Sequence, residues 1–310
     1  MPTDTALRAA AARRTPNELG RIPVLMYHLI EDRDGTYRVA REHFREQLGE
    51  LYARGYRPVT LGAVLDGQID LPAGLSPVVL TFDDASPSQF RYVERNGALR
   101  VDATSGWGIL TAFAAEHPDF PPVGVWCLLS AAQAGRSFFG DKGIEGQASA
   151  WRFRKLTALV EAGGELCNHT QWHARLDRSA PALVQEQIAK LQLAVDSAIT
   201  GYRIRTMALP LGIWPKDRAL AYAGSWTDPK RAQRVAYAHE AVLTIGGGLL
   251  RSPHAPGFFD AGPRRVIVPR EEVLTPALFT ALLDRVEKVR YVSDGDPARV
   301  AAPPAPPAAP

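Results

Sequence analysis

The sequence predicts an α/β protein in which parallel strands form a closed or nearly closed barrel. Strand-like and helix-like segments alternate about seven times along the chain, which is typical of parallel sheets with helical connections. The stretch Val78 to Phe82 consists almost entirely of β-forming hydrophobic residues, as expected for a strand that is buried on both faces. No internal repeat interrupts the alternation. A barrel is therefore the most economical arrangement.

Composition limits the function classes further. Hydrophobic residues make up 46% and charged residues 22% of the 310 residues, as in a globular protein with a sizeable core. The net charge of +3, with no block of Lys or Arg, argues against a nucleic-acid partner. No apolar run approaches the length of a membrane span, and residues 1–20 lack the apolar core of a secretory signal. We predict a disordered lead-in (1–20), one folded domain (21–292) and a disordered Ala/Pro-rich tail (293–310).

Helices are predicted where apolar residues recur at three- and four-residue spacing before a Gly or Pro. In 41–54, Phe44, Leu48 and Leu51 share one stripe, and Gly55 is a typical C-cap. Strands are predicted where short apolar runs end at turn-forming residues, and segments 85–104 and 131–149 are predicted loops. The predicted strands are 22–30, 58–61, 78–82, 123–130, 165–170, 205–209, 241–245 and 265–268; the predicted helices are 41–54, 61–65, 108–116, 151–161, 182–199, 230–238 and 275–291.

Two cysteines are too few for a disulfide framework. Cys127 and Cys167 both lie in apolar, strand-like runs. We therefore predict two buried free thiols.

Two adjacent carboxylates, Asp83 and Asp84, follow the predicted strand 78–82. In parallel α/β folds, functional groups collect at the carboxyl ends of strands. Unpaired acidic groups are costly to bury, so this pair requires a metal, a basic partner or water. The alternative is a polar loop in which an Asp caps a helix.

A second informative stretch reads Asn168-His169-Thr170-Gln171-Trp172-His173. If the chain turns into a helix here, His169 and His173 share one face and can converge on one ion. Together with Asp84 they would leave open coordination positions, as a hydrolytic metal requires, and Asp83 would be available as a base. The alternative is a solvated helix surface with two ordinary histidines. This alternative is weakened because His169 follows an apolar, strand-like run and so lies at a strand end, as Asp83 and Asp84 do.

The order of three motifs resembles that of the polysaccharide deacetylases, the NodB-homology, family-four carbohydrate esterases. The motifs are Thr81-Phe82-Asp83-Asp84, then the stretch 168–173, then Pro210-Leu211-Gly212. The opening Pro23-Val24-Leu25-Met26-Tyr27-His28 is similar to the start of one branch of this family. The similarity extends from Ile22 to the last predicted helix.

This resemblance implies a distorted (β/α) barrel of about seven strands, with a catalytic domain over 21–292. It also implies metal-dependent removal of acetyl groups from an N-acetylated glycan or oligosaccharide. The family is typical of the cell envelope or of secreted proteins, whereas residues 1–20 show no signal, so the compartment stays open. The resemblance implies that Asp83 is the catalytic base and that the Leu211 N–H, after Pro210, stabilises the oxyanion. It also implies that Asp84, His169 and His173 bind one divalent metal, most often zinc, with cobalt or nickel as alternatives.

The chain departs from the family pattern at the partner of the base. An Arg two residues before the motif proline usually orients the base, but this chain has Ala208 there. Arg203, Arg205 and Arg270 are the candidates to replace it.

The histidine that protonates the leaving amine is also outside its usual context. By order along the chain His254 is the best candidate, and His28 and His239 compete with it. Each of the three is, on its own, more often an ordinary surface or core histidine.

Two other functions compete with the deacetylase. Phe82-Asp83-Asp84 alone is compatible with phosphotransfer through an aspartyl nucleophile and magnesium, which would leave both motif histidines without a role. A sugar-binding relative without turnover is suggested by Ala208 and by the displaced acid.

Overall fold

The fold is a single curled sheet surrounded by helices. The structure, a computed structural model, describes residues 11–132, 137–259, 264–272 and 275–302, and the statements below concern these residues. Nine strands form one sheet in which every pairing is parallel, and the sheet curls into a distorted barrel. The predicted fold class is confirmed. None of the described helices is both long enough and apolar enough to cross a membrane.

The elements are numbered in chain order. The strands are β1 (Arg21–Ile22), β2 (Val24–Tyr27), β3 (Leu29–Glu31), β4 (Arg38–Ala40), β5 (Tyr56–Pro58), β6 (Ser76–Phe82), β7 (Tyr92–Arg95), β8 (Ala98–Val101), β9 (Val125–Leu128), β10 (Glu165–Asn168), β11 (Thr206–Ala208), β12 (Ala223–Asp228), β13 (Gln233–Ala238), β14 (Ala241–Leu243), β15 (Leu250–Arg251), β16 (Val266–Val268) and β17 (Glu271–Glu272). The helices are α1 (Arg41–Ala53), α2 (Leu61–Leu65), α3 (Gly106–Glu116), α4 (Arg152–Glu161), α5 (Pro181–Ala198), α6 (Ala219–Tyr222) and α7 (Pro276–Glu287).

One segment of chain joins the two ends of the sheet. The strand order is β16-β14-β11-β10-β9-β6-β2-β17, with β5 added beside β6. Strands β16 and β17 belong to the same short stretch, which pairs with β14 before Pro269 and with β2 after Arg270. The barrel is therefore closed by a strand that changes partner at these two residues.

Strand β6 shows why the sheet is buried on both faces. All seven of its residues are buried. Val78, Leu80 and Phe82 pack in the core between the sheet and helices such as α1, whereas Val79 packs in the barrel interior. Because side chains alternate along a strand, Thr81 and the following Asp83 point to the same interior side as Val79.

The prediction of two free thiols is wrong. Cys127 and Cys167 are register partners on the neighbouring parallel strands β9 and β10, and their sulfurs form a disulfide. Both are fully buried in the barrel interior. Their separation of 40 residues does not reveal this pairing, because only the strand order brings the two positions side by side.

The predicted helix over 230–238 is also wrong. This stretch contains β13, which forms an antiparallel hairpin with β12. Val235 and Tyr237 are buried while their neighbours are exposed, which is the two-residue period of a strand. In the predicted loop 85–104, β7 and β8 likewise form a hairpin, around a turn at Asn96 and Gly97.

The described parts of the predicted disordered termini are bonded to the barrel. Asn17 bridges to Val292, and the buried carboxylate of Glu18 accepts the Ala301 N–H at 2.9 Å. The Ser293 N–H donates to the Leu75 carbonyl at 2.9 Å. Polar and Ala/Pro-rich composition predicts disorder, but these backbone bonds order residues 11–20 and 293–302. Residues 1–10 and 303–310 lie outside the described residues.

Candidate active site

The predicted motifs meet around one cavity at the carboxyl ends of the barrel strands. The cavity has a volume of about 260 Å³. Its polar wall contains His28, Asp83, Asp84, His169 and His173, which follow β2, β6 and β10 in the chain. This is the end of a parallel barrel at which catalytic groups collect.

Asp83 is held by a buried arginine from the closing strand. The Arg270 guanidinium donates to both carboxylate oxygens of Asp83, at 2.7 and 2.9 Å. It also donates to Thr81 Oγ1 at 3.2 Å and to the Thr244 carbonyl at 3.1 Å. The side-chain exposures of Arg270 and Asp83 are 0% and 2%. Because an ionised carboxylate has about four lone-pair positions, these two bonds leave Asp83 able to accept a further proton.

Arg270 is the candidate arginine that reaches Asp83. Arg205 forms ion pairs with Asp66 and Glu240, and Arg203 pairs with Asp196, so these two candidates are engaged elsewhere. Of the three candidates, only Arg270 contacts Asp83 in the described structure.

Asp84 turns away from Asp83 because the backbone bends sharply after β6. Asp84 and Ala85 have φ of 76° and 48°, in the left-handed region that residues other than Gly rarely adopt. Such conformations persist only where surrounding contacts impose them, and they concentrate at functional sites. Asp83 is bound by Arg270 and Asp84 approaches His173, while both carboxylates lie within 4.0 Å of His169 Nε2.

The stretch 168–173 is a tight loop and not a helix, contrary to the geometry expected from the spacing. Thr170 and His173 have φ of 68° and 63°. Asn168 Oδ1 accepts the Thr170 N–H at 2.9 Å, and Thr170 Oγ1 accepts the Ala174 N–H at 3.0 Å. The short polar side chains thus replace the missing helical hydrogen bonds and still bring both imidazoles to one place.

Asp84, His169 and His173 form a candidate metal centre. Asp84 Oδ1 lies 3.5 Å from His169 Nε2 and 3.7 Å from His173 Nε2. One ligand atom from each residue falls within 4.8 Å of the others. Two imidazole nitrogens and one carboxylate oxygen are a donor set that suits zinc and leaves a coordination position open.

A second contact fixes the orientation of His169. Its Nδ1 lies 2.9 Å from the Ala208 carbonyl oxygen, which can only accept, so Nδ1 carries the hydrogen. Nε2 is then the nitrogen that faces Asp84. Hydrogen bonds of this kind commonly orient metal-binding histidines.

The electrostatics favour ionised aspartates. Burial alone would raise the pKa of Asp83, but Arg270 and His169 outweigh it and hold the pKa below its ordinary value. Burial also raises the pKa of Asp84, and here His169 and His173 more than offset it. Burial and the neighbouring His169 lower the pKa of His173 to about 4, so this imidazole is neutral and able to bind a metal near pH 7.

Pro210 and Leu211 follow strand β11 in a short turn. Residues 210–212 form a single 3-10 turn after β11, and Leu211 has φ of 58°. Leu211 lines the cavity and is 52% exposed. Leu29, Tyr37, Leu209, Leu211 and Ile245 make up the apolar wall.

The structure brings His28 to the cavity and does not bring His254 there. His254 lies beside Gly67 and Tyr291. It follows β15, which pairs with β1, the strand just before β2 in the chain. His239 is buried against the Ala221 carbonyl, at 2.7 Å from Nδ1, and burial lowers its pKa to about 4. Only His28, of the three candidate acids, lines the cavity in the described structure.

Sequence reasoning ranked His28 too low and missed Tyr37. The ring of Tyr37 lies 5.0 Å from the ring of His28, and the Tyr37 side chain is largely exposed at the mouth of the cavity. Strand order could have found His28, because β2 is the parallel neighbour of β6 and so its end lies beside Asp83. No comparable signal marks Tyr37, which sits in a loop between two short strands.

The comparisons with known proteins agree with an α/β barrel that carries this candidate site. Residues 138–225 match the family model described as polysaccharide deacetylase. This matched segment contains both candidate metal histidines and the Pro210 turn, while the Asp pair precedes it. This segment of the chain is thus similar to the polysaccharide deacetylases.

Solved structures of low sequence identity share the fold. The Streptococcus pyogenes deacetylase PplD, in complex with acetate, is 17% identical with a TM-score of 0.59, covering 88% of this chain and 99% of that one. IcaB from Ammonifex degensii is 20% identical with a TM-score of 0.57, covering 88% and 100%. The putative polysaccharide deacetylase BA0330 from Bacillus anthracis is 19% identical with a TM-score of 0.55, covering 84% and 68%. No curated protein matches the chain by sequence.

Proposed function

We propose that this protein is a metal-dependent deacetylase that removes acetyl groups from N-acetylated carbohydrate. The observation that carries the proposal is the convergence of Asp84, His169 and His173 within 4.8 Å, beside the Arg270-bound carboxylate of Asp83. This arrangement provides a metal-binding set and a separate base in one cavity.

Asp84, His169 and His173 would hold one divalent ion, with zinc favoured by the donor set and cobalt or nickel as alternatives. When bound, the ion would polarise the amide carbonyl and lower the pKa of a water towards neutrality. His169 is already oriented for this task by the Ala208 carbonyl.

Asp83 is the general base in this proposal. Its lowered pKa keeps it ionised near neutral pH, so it can take a proton from the attacking water. Arg270 fixes both of its oxygens and so fixes the direction from which the proton arrives. Arg270 thereby orients the Asp83 carboxylate, which Ala208 cannot do because its side chain has no hydrogen-bond donor.

The Leu211 N–H is the proposed oxyanion donor. Leu211, in the turn at 210–212, lines the same cavity as Asp83 and Asp84. Pro210 restricts the backbone just before this N–H because its ring fixes φ. A fixed backbone dipole costs no reorganisation when charge develops on the carbonyl oxygen.

His28 is the proposed general acid, in place of His254. Burial lowers the pKa of His28, and Asp83 and Asp84 oppose this shift. These two carboxylates favour the imidazolium, which is the form that a general acid needs in order to protonate the leaving amine. The nearby Tyr37 ring would then border the sugar that carries this amine.

Acetate release from N-acetylated sugars tests the proposal. The purified chain is stripped with a chelator, reloaded separately with zinc, cobalt or nickel, and assayed on N-acetylglucosamine oligomers and on N-acetylated bacterial cell-wall glycan. We expect acetate release only after reloading, and about 10²- to 10⁴-fold slower release from the reloaded Asp83→Asn variant. Glycan binding without acetate release would favour the sugar-binding alternative, and release of phosphate from phosphate esters would favour phosphotransfer. The phosphotransfer alternative leaves His169 and His173, which converge on Asp84, without a role.

A further inference from the structure

The side chain of Gln89 joins the two strand ends that carry His28 and Asp83. Its Nε2 donates to the His28 carbonyl at 2.6 Å and to the Asp83 carbonyl at 2.5 Å. Gln89 is fully buried. An amide NH2 group has two hydrogens, so it can serve both carbonyls at once.

Gln89 links strands β2 and β6 just beyond the end of their backbone hydrogen bonding. The β2–β6 register ends at the pair Tyr27 and Phe82, and the Asp83 N–H makes the next bond, to the Tyr27 carbonyl at 2.9 Å. Beyond this point the segments that follow β2 and β6 diverge, and the Gln89 amide links them. The backbones of the proposed acid and base are therefore tied to each other through one side chain.

The amide of Gln89 is itself held in a single orientation. Its backbone carbonyl accepts the Trp107 N–H at the start of α3, at 2.7 Å, and its backbone N–H donates to Ser86 at 3.0 Å. Gln89 Oε1 is buried and has no hydrogen-bond partner among the described residues. A flipped amide would turn Oε1 against two carbonyl oxygens, so the NH2 group must face His28 and Asp83.

We infer that Gln89 is a positioning residue that sets the separation of the acid His28 from the base Asp83. This inference rests on the function proposed above. Gln89 does not line the cavity, so it acts through the two backbones and touches no substrate. Its loss should weaken the alignment of the proton-transfer groups while leaving the metal ligands and the substrate walls in place.

The test compares Gln89→Met with the matched control Gln47→Met. Gln47 is a buried glutamine of α1 whose side-chain nitrogen and oxygen have no partner among the described residues. Methionine keeps the length of the side chain and removes its donors. We expect Gln89→Met to lower kcat by about 10- to 100-fold, since displacement by an ångström costs on the order of 100-fold. KM and the affinity for Co²⁺, read from its absorption spectrum, should stay at the wild-type values, and Gln47→Met should leave kcat unchanged.

Gln89→Glu provides a second variant of the same shape. An ionised carboxylate has no hydrogen to donate, so we expect it to lower kcat as Gln89→Met does. Wild-type kcat in either Gln89 variant would overturn the inference. A loss of kcat in Gln47→Met equal to that in Gln89→Met, with equal loss of Tm, would also overturn it, because both would then reflect core stability.

A measurement on the wild-type protein separates this inference from the proposed function. The Gln89 side-chain NH2 protons should be protected from hydrogen exchange in NMR spectra, because both are hydrogen-bonded inside the core. Fast exchange would overturn the inference even if acetate release is robust. If the metal-loaded wild type releases no acetate, the proposed function fails, and protected Gln89 protons would still support the link between the two strand ends.

Discussion

Replacing Arg270 by Met tests the part of the site that the closing strand supplies. The substitution removes a fully buried cation and leaves the Asp83 carboxylate buried without its charge partner. Breaking a buried pair in this way typically costs about 3–5 kcal/mol of unfolding free energy. We expect a loss of this size at pH 7 in urea titrations of the metal-free protein.

The pH dependence of this loss follows from the sign of the pKa shift. In the wild type the pKa of Asp83 lies below its ordinary value, because Arg270 and His169 overcome burial. Its ionisation therefore stabilises the fold above the unfolded-state pKa of about 3.9, and this contribution is lost as the pH falls through the folded-state pKa. Without Arg270, burial dominates and raises the pKa. The stability difference between wild type and Arg270→Met should therefore narrow as the pH falls towards 4.

Activity should report the same change. The acid limb of kcat/KM against pH should move to higher pH in Arg270→Met, because a base with a raised pKa is already protonated at higher pH. The double variant Arg270→Met/Asp83→Asn should be more stable than Arg270→Met alone, since it removes the uncompensated charge. Arg57→Met is the control: Arg57 is a buried arginine paired with Asp119 at 2.9 Å, away from the cavity. It should lose stability without moving the acid limb. An unmoved acid limb in Arg270→Met would refute the assignment of Arg270 as the partner of the base.

Three further substitutions test the remaining roles. Asp83→Asn should lower kcat by about 10²- to 10⁴-fold, the usual contribution of a general base, while Co²⁺ still binds; wild-type turnover would exclude this role. His28→Gln should lower kcat by a similar factor of about 10²–10⁴, whereas His254→Gln should match the wild type; the reverse result would restore His254 as the acid. His169→Gln should weaken Zn²⁺ binding by more than the roughly 10- to 100-fold that loss of an outer-shell partner costs, measured by competition with a chromophoric chelator; full metal content after dialysis would contradict its role as a ligand.

The sequence was most informative where a residue type and its local context were sufficient. The apolar run of β6 followed by two carboxylates predicted both a buried strand and a polar site at its end. The family resemblance carried by the Asp pair, the motif histidines and the Pro210 turn implied which strand ends would meet. The barrel and the location of the candidate metal centre follow from these local patterns.

The parts that depend on three-dimensional pairing were harder to predict. Arg270 was one of three arginines that spacing alone could not separate, because the choice depends on which strand closes the barrel. His254 was preferred over His28 by chain order, although strand neighbourhood decides which histidine reaches the cavity. The disulfide of Cys127 and Cys167 depends on strand order in the same way.

The loop at 168–173 shows a different limit. The spacing of two histidines indicated convergence correctly, but the predicted helix is replaced by a turn with residues in left-handed conformation. Local hydrogen bonds from Asn168 and Thr170 determine this turn, and short polar side chains compete with helical bonding in this way. The same residue types are common in ordinary loops, so only the tertiary setting distinguishes them.

The closing strand couples assembly of the molecule to completion of the proposed base. Arg270 lies where residues 266–272 change partner from β14 to β2, so the contact with Asp83 forms only when both ends of the sheet have met. During synthesis, Asp84, His169 and His173 emerge well before Arg270. A partly made chain could thus gather its candidate metal ligands while the proposed base still lacked Arg270, and the proposed turnover would begin only with the closed barrel.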